Sequence, residues 1–364
     1  MTSSVANRMP LVDALKGLAC VLIVSHHLAF YGPMSDVALP LAPGLISWLY
    51  DYGRFAVQVF LVVAGFLTAG QLSRFARSGQ RIPVLSLFWQ RYLRLAVPYV
   101  AALLVALVMA AVLRPWWHHE SLPSKPDFWR VLSHVFMLHG WVGHESLSAG
   151  VWYVAIDLQL YALAVLVFFV GQKLAGPHEP TDLAGRARLT AWVVSLTTVL
   201  MLASLFFFNR DAGFDVTGVY FFGAYALGLM TRWASGRRHP WAWLTALWAV
   251  ACLALMLEFR ERIAVALLTS VVLGCVLLRG AWAWLNHALL SWLGRISYSV
   301  FLIHFPVCLA FNAVWAHFFP TQPWLNVMGM VLALMSSLIC GHAFYALVEE
   351  RGSTRLIGLL AARR

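Results

Sequence analysis

Long apolar runs, separated by short basic or Gly/Pro-containing stretches, set the pattern of this chain. Ten of them approach the ~20 residues that a helix needs to cross a bilayer. They lie at approximately 10–31, 53–72, 92–113, 151–171, 189–208, 214–232, 240–258, 262–279, 295–318 and 324–348. The pattern predicts an all-α, polytopic membrane fold of about ten transmembrane helices. The first run is too long for a signal-peptide core, carries ionisable groups and lacks a small-residue cleavage site, so it reads as an uncleaved first span. Stretch 128–142 is apolar but short, and it holds Arg130, His134 and His139. A re-entrant or interfacial helix is expected there.

Positive charge tests the count. Basic residues fall on alternate connections: Arg74, Arg77, Arg81 and Arg91; Lys173, Arg186 and Arg188; Arg232, Arg237 and Arg238; Arg279 and Arg295; then Arg351, Arg355, Arg363 and Arg364. Stretches 32–52 and 319–323 have neither Lys nor Arg. Positive loops face the cytoplasm, which predicts ten spans with both the N- and C-termini cytoplasmic. An eleventh span at 128–142 would invert every later loop. Arg260 and Arg262 are the exception, basic on a connection predicted to be external. Residues 1–350 read as one transmembrane domain and 351–364 as a basic cytoplasmic tail. No internal repeat is evident.

Composition changes the picture in two ways. The chain has 364 residues, 61% of them hydrophobic and 11% charged, against about 25% charged in a soluble domain. Lipid must therefore be the main solvent. The net charge of +11 would suggest nucleic acid in a soluble protein. Here Lys and Arg sit at the ends of apolar segments, so topology explains them and no nucleic-acid partner is expected. Cys20, Cys252, Cys275, Cys308 and Cys340 all fall in predicted spans without a C-x-x-C pair. The histidines lack ligand spacing, so neither a disulfide nor a metal site is expected. P-loop, G-x-S-x-G and H-E-x-x-H motifs are absent. No permanently bound cofactor is expected.

Ionisable groups inside apolar runs are the candidate chemistry. Asp13, Lys16, Cys20 and His27 share one face of the first span. Lys16 and His27 are eleven residues apart, which is roughly 16 Å of helix rise. That suits an elongated charged molecule reached at depth, with His27 as the base for a hydroxyl proton. A structural hydrogen bond is the other reading of His27, and a neutralised interfacial pair that of Asp13 and Lys16. Arg91 and Arg94 share a helix face and suit phosphates; a headgroup anchor is equally open. Asp157 and Tyr161 lie on one face of the fourth span, below Trp152. Asp157 reads as the group that orients an imidazolium, or as an interhelical hydrogen bond. In the ninth span Ser297, Phe301 and His304 form a stripe, and Pro306 is expected to kink the helix. Glu349 and Glu350 close the tenth span.

Taken together these segments resemble the acyltransferase 3 family of integral-membrane acyltransferases, from about residue 9 to 350. That family's first helix carries an Arg and then, across ten residues, a His; Lys16 and His27 match them. Phe60–Leu67 is similar to its second-helix segment, Arg91-x-x-Arg94 with Pro98 to its arginine pair, and Trp152–Tyr161 to its Trp-Ser-Leu-x-x-Glu segment. Leu293–Tyr298 through His304-Phe305-Pro306 is similar to the late segment, and Leu347-Val348-Glu349 to the end. Lys16, Ala64 and Asp157 depart from its usual Arg, Ser and Glu. The resemblance implies acyl-CoA, usually acetyl-CoA, as co-substrate and a hydroxyl of a carbohydrate or other envelope-associated acceptor, including a lipid-linked one, as the group acylated. It implies a bacterial cytoplasmic (inner) membrane, with membrane lipids as partners. Lys16, Arg91 and Arg94 would bind the donor; His27 and Asp157 would be catalytic. Asp13, Trp152, Tyr161, Ser297, Tyr298, His304 and Glu349 would support them. Two other readings stay open: a secondary transporter or exporter of a sugar or lipid-linked substrate, and an inactive family member acting as receptor or scaffold. Acceptor, acyl length and oligomeric state are left open.

Overall fold

Pro10, Pro33, Pro43, Pro240 and Pro323 each stand in the first turn of a helix, where the missing N–H is no loss and the fixed φ favours helical entry. The structure, a computed structural model, describes residues 9–177, 182–280 and 286–352. In chain order the helices are α1 (Pro10–Phe30), α2 (Pro33–Ala38), α3 (Pro43–Tyr52), α4 (Val57–Ser78), α5 (Val84–Leu113), α6 (Phe128–Val135) and α7 (Val151–Ala175). Then come α8 (Leu183–Phe206), α9 (Gly218–Ala234), α10 (Pro240–Leu257), α11 (Glu261–Arg279), α12 (Ala288–Phe318) and α13 (Pro323–Phe344), with a π-helical turn over Tyr345–Glu349. No strand occurs among the described residues. The expected tail lies outside the described residues from 353 onward.

Nine helical stretches among the described residues are long and apolar enough to cross a bilayer, with Pro43–Ser78 and Pro323–Gly352 each counted as one. The chain is therefore an all-α integral membrane protein, and these nine correspond to nine of the ten expected runs. The remaining run is α9, with 17 residues and Arg232 in its last turn. The eight residues of α6 rise only about 12 Å against a hydrocarbon core of about 30 Å, too little to cross. Stretch 32–52, expected as a plain connection, holds α2 and α3.

The chain forms two compact units, and the border inside α5 falls between Tyr92 and Leu93. One unit holds α1–α3, α6, α12, α13 and α5 from Leu93 on. Its spine is α1 against α12. Gly17 lets the helices close, since a Cβ there would stand 2.7 Å from that of Leu293, and Gly294 has no room for one over the Asp13 backbone. Further along, Cys20 Sγ donates to the Ser297 carbonyl at 3.3 Å, and His27 meets His304. Both pairs are separated by 277 residues, so the two helices run parallel and in register. Parallel spans require an odd number of crossings between them. α4, α5, α7, α8, α9, α10 and α11 supply that number, so α9 crosses and α6 does not. α12 continues as helix through Pro306. α13 packs on it with Gly341 against Val300, and the Asn312 side chain accepts from the Met34 N–H at 3.2 Å, tying α2 in place.

The other unit holds α8–α11, most of α4 and α7, and α5 up to Tyr92. α9 is buried along most of its length, including Tyr220, Phe221, Phe222, Tyr225 and Leu227. Gly65 of α4 lies on the Tyr225 carbonyl, and Gly228 of α9 lies on that of Val62. Such reciprocal small-residue contacts let membrane helices approach closely. The charge exception also has its reason here. Arg260 is buried and donates to Asn209 Oδ1 at 2.7 Å and the Leu205 carbonyl at 2.8 Å, while Arg262 donates to the Tyr220 hydroxyl. These cations clamp the turns around α9.

Candidate active site

Three histidines meet on α1 and α12, and carbonyl partners set their tautomers. A carbonyl only accepts, so His304 Nδ1, 2.8 Å from the Phe301 carbonyl, carries the proton. In the neutral ring His304 Nε2 then holds a lone pair. His27 Nδ1 lies 2.6 Å from that atom and must donate to it. This leaves the lone pair of His27 on Nε2, which has no hydrogen-bond partner among the described residues. The two rings stack with centroids 4.9 Å apart and planes 10° apart. His27 is 8% exposed and His304 0%. His26 Nδ1 donates to the Leu49 carbonyl at 2.8 Å, which ties α1 to α3. The adjacent histidines thus differ: His26 fastens helices, while His27 keeps a basic nitrogen. Tyr31 and its ring contact to Phe305 flank the site.

Near the N-terminal end of α1, Lys16 stands within electrostatic reach of Asp13, Glu349 and Arg94. Glu349 Oε2 accepts from Ser299 Oγ at 2.6 Å, and Tyr298 donates to the Leu95 carbonyl at 3.0 Å. Ser297 Oγ donates to the Gly294 carbonyl at 3.0 Å. α5, α12 and the π-helical turn therefore assemble two cations and two carboxylates around the start of α1. π-helical turns are enriched at functional sites. Phe301 packs edge-on to Tyr153 at 5.3 Å, and Trp152, 37% exposed, stands beside Tyr153.

Arg91 and Asp157 belong to the other unit. Arg91 donates to Asp157 Oδ2 at 2.6 Å, and its guanidinium lies over the Tyr161 ring at 5.2 Å. Asp157 is 3% exposed, and its Oδ1 has no partner among the described residues. A buried ion pair of this kind rarely serves stability alone. Arg91 and Arg94, neighbours on one helix face, thus have different partners.

His304 as the immediate neighbour of His27 was not legible, because 277 residues separate them. The shared seven-residue step from Cys20 to His27 and from Ser297 to His304 is a signal that could have found it. Ser299 as the donor to Glu349 was missed entirely. Among the described residues, no group of three or more His, Cys, Asp or Glu could hold a metal ion.

Comparison with known proteins gives this geometry a context. "Regulator of hypoxia-inducible factor 1" from Caenorhabditis elegans is 26% identical over 171 residues, 44% of this chain and 34% of that protein. Peptidoglycan O-acetyltransferase OatA from Listeria monocytogenes is 25% identical over 174 residues, 44% of this chain and 25% of that protein. The matches span about a third and a quarter of the lengths of these relatives. No solved structure matches the chain. The acyltransferase domain that defines the acyltransferase 3 family matches residues 10–346, a range that takes in every residue of both clusters except Glu349. This chain belongs to the acyltransferase 3 family.

Proposed function

We propose that this chain is a membrane O-acyltransferase that moves an acyl group, acetyl in the simplest case, from acyl-CoA to a hydroxyl of an envelope-associated carbohydrate. Family membership supports acyl transfer, and the likeness to OatA favours a glycan hydroxyl as acceptor. The observation that carries the reading is the hydrogen bond from His27 to His304 at 2.6 Å, which leaves a basic nitrogen on a buried ring.

The reaction needs one proton to move twice. His27 Nε2 takes the proton of the acceptor hydroxyl, and the oxygen attacks the thioester carbonyl carbon. The C–S bond breaks, and the proton returns from His27 to the departing CoA sulfur. While His27 is cationic, its Nδ1–H still points at the His304 lone pair, a charge-assisted hydrogen bond that steadies the imidazolium. Lys16 and Arg94 bind donor phosphates. Arg91 carries a charge already balanced by Asp157. The roughly 16 Å rise from Lys16 to His27 suits the thin arm between the phosphates and thioester of CoA.

The test uses purified protein in lipid nanodiscs, acetyl-labelled acetyl-CoA and envelope glycans. Wild-type protein transfers label, and mass spectrometry of the product names the acceptor. His27→Gln, folded and still binding acetyl-CoA, is expected to lose about a thousandfold in rate. Full transfer by that variant would refute the proposal, and so would transport of a glycan with no release of CoA.

A further inference from the structure

A cavity of about 500 Å³ opens among α4, α7, α8, α9 and α11, within a single unit and apart from the histidine site. Its size falls within the ~300–1,000 Å³ typical of small-molecule pockets. Its wall is mostly apolar, with Leu72, Phe168, Leu189 and Val193 beside the hydroxyls of Ser73, Thr190, Thr197 and Ser235, and Arg77, Arg232 and Arg237 also line it. No acidic side chain lines it among the described residues. Arg237 lies over the Trp233 ring at 4.2 Å and Arg232 over Phe66 at 5.4 Å. These cations are the residues that the charge pattern assigns to the cytoplasmic side.

We propose that this cavity is a binding site for an acidic membrane phospholipid. Its acyl chain lies along Leu72, Phe168, Leu189 and Val193, and its phosphate faces the three guanidiniums. Charge complementarity selects this occupant. The mouth offers positive charge with no carboxylate among the described residues, the wall is mostly apolar, and the cytoplasmic leaflet supplies anionic lipid. Arginine forks match phosphate oxygens. The ligand is structural or regulatory and takes no part in acyl transfer.

Native mass spectrometry of protein reconstituted in phosphatidylcholine, with and without phosphatidylglycerol, tests this without any acyl-transfer readout. A failure here therefore leaves the enzymatic reading untouched. Wild-type protein is expected to retain phosphatidylglycerol selectively. Triple replacement of the exposed Arg77, Arg232 and Arg237 by Gln should weaken that retention at least about tenfold. Ala76→Phe, which fills the cavity from its wall, should weaken it too with the arginines intact. Equal retention of both lipids, or retention unchanged in the triple variant, would overturn the proposal. Displacement by palmitoyl-CoA would assign the cavity to the donor's chain, and displacement by inorganic phosphate would reduce it to an anion site; either result also overturns it.

Discussion

His27 and His304 stack at 4.9 Å with planes 10° apart, and His134 and His139 stack at 4.1 Å and 11°. All four rings are buried, yet their nitrogens are disposed differently. His134 Nδ1 donates to the Arg130 carbonyl at 2.7 Å, and its Nε2 accepts the Leu147 N–H at 3.1 Å. Both nitrogens are spent on backbone, so this ring staples the connection between α5 and α7. His139 Nδ1 is buried without a partner among the described residues. His27 spends only Nδ1, and spends it on an acceptor that becomes more useful once His27 is charged. Stacking therefore says little about chemistry; the nitrogen left over decides.

That contrast can be broken most severely at His27. His27→Gln should cut acyl transfer about a thousandfold, whereas His134→Gln should leave the rate per folded molecule unchanged. Comparable losses in both would erase the distinction. Next comes His304→Phe, which keeps a ring but removes the acceptor. Hydrogen bonds to charged groups contribute about 1.5–3 kcal/mol, so kcat should fall about 10- to 100-fold. The KM for acetyl-CoA should hold, and His304→Gln, which retains an acceptor, should recover part of the loss. A purely structural His304 would show no such recovery. Lys16→Gln should raise the KM for acetyl-CoA about tenfold, and Lys16→Arg should not; a loss confined to kcat would argue against phosphate binding.

The smallest effect is on the staple. Burial pushes His134 down to about 4 and His139 down to about 3, from about 6.5 in the unfolded chain. Between those values the unfolded segment binds more protons than the folded one. The segment is therefore most stable above about pH 6.5 and loses stability as pH falls toward 4. Protonating His134 at Nε2 would also expel the Leu147 N–H. Protection of the Leu147 amide from hydrogen exchange, corrected for the intrinsic rate, should fall across that range in wild type and fall less steeply in His134→Phe, where only His139 titrates. A flat wild-type profile would contradict the assignment.

Hydropathy made most of the fold legible, because a bilayer forces each span to be long and apolar. The expectation for 128–142 rested on length and charge, and α6 is indeed too short to cross. The shortness of α9 hid no error, since the parallel α1 and α12 require its crossing. The role of Arg260 was not legible, because a charge count cannot separate a headgroup anchor from a buried clamp. The divergent partners of Arg91 and Arg94 were hidden for a similar reason: a shared helix face does not reveal which neighbour each long side chain reaches. His27 stood out locally as a buried base. Its partner did not, because pairing across 277 residues leaves no local periodicity to read.

The central claim concerns one proton on one ring. Ring-¹⁵N shifts of histidine-labelled protein in nanodiscs, with the His27 signals assigned by their loss in His27→Gln, report it directly. The account predicts His27 protonated at Nδ1 and bare at Nε2 at neutral pH. A His27 protonated at Nε2, with its lone pair turned toward His304, would contradict it.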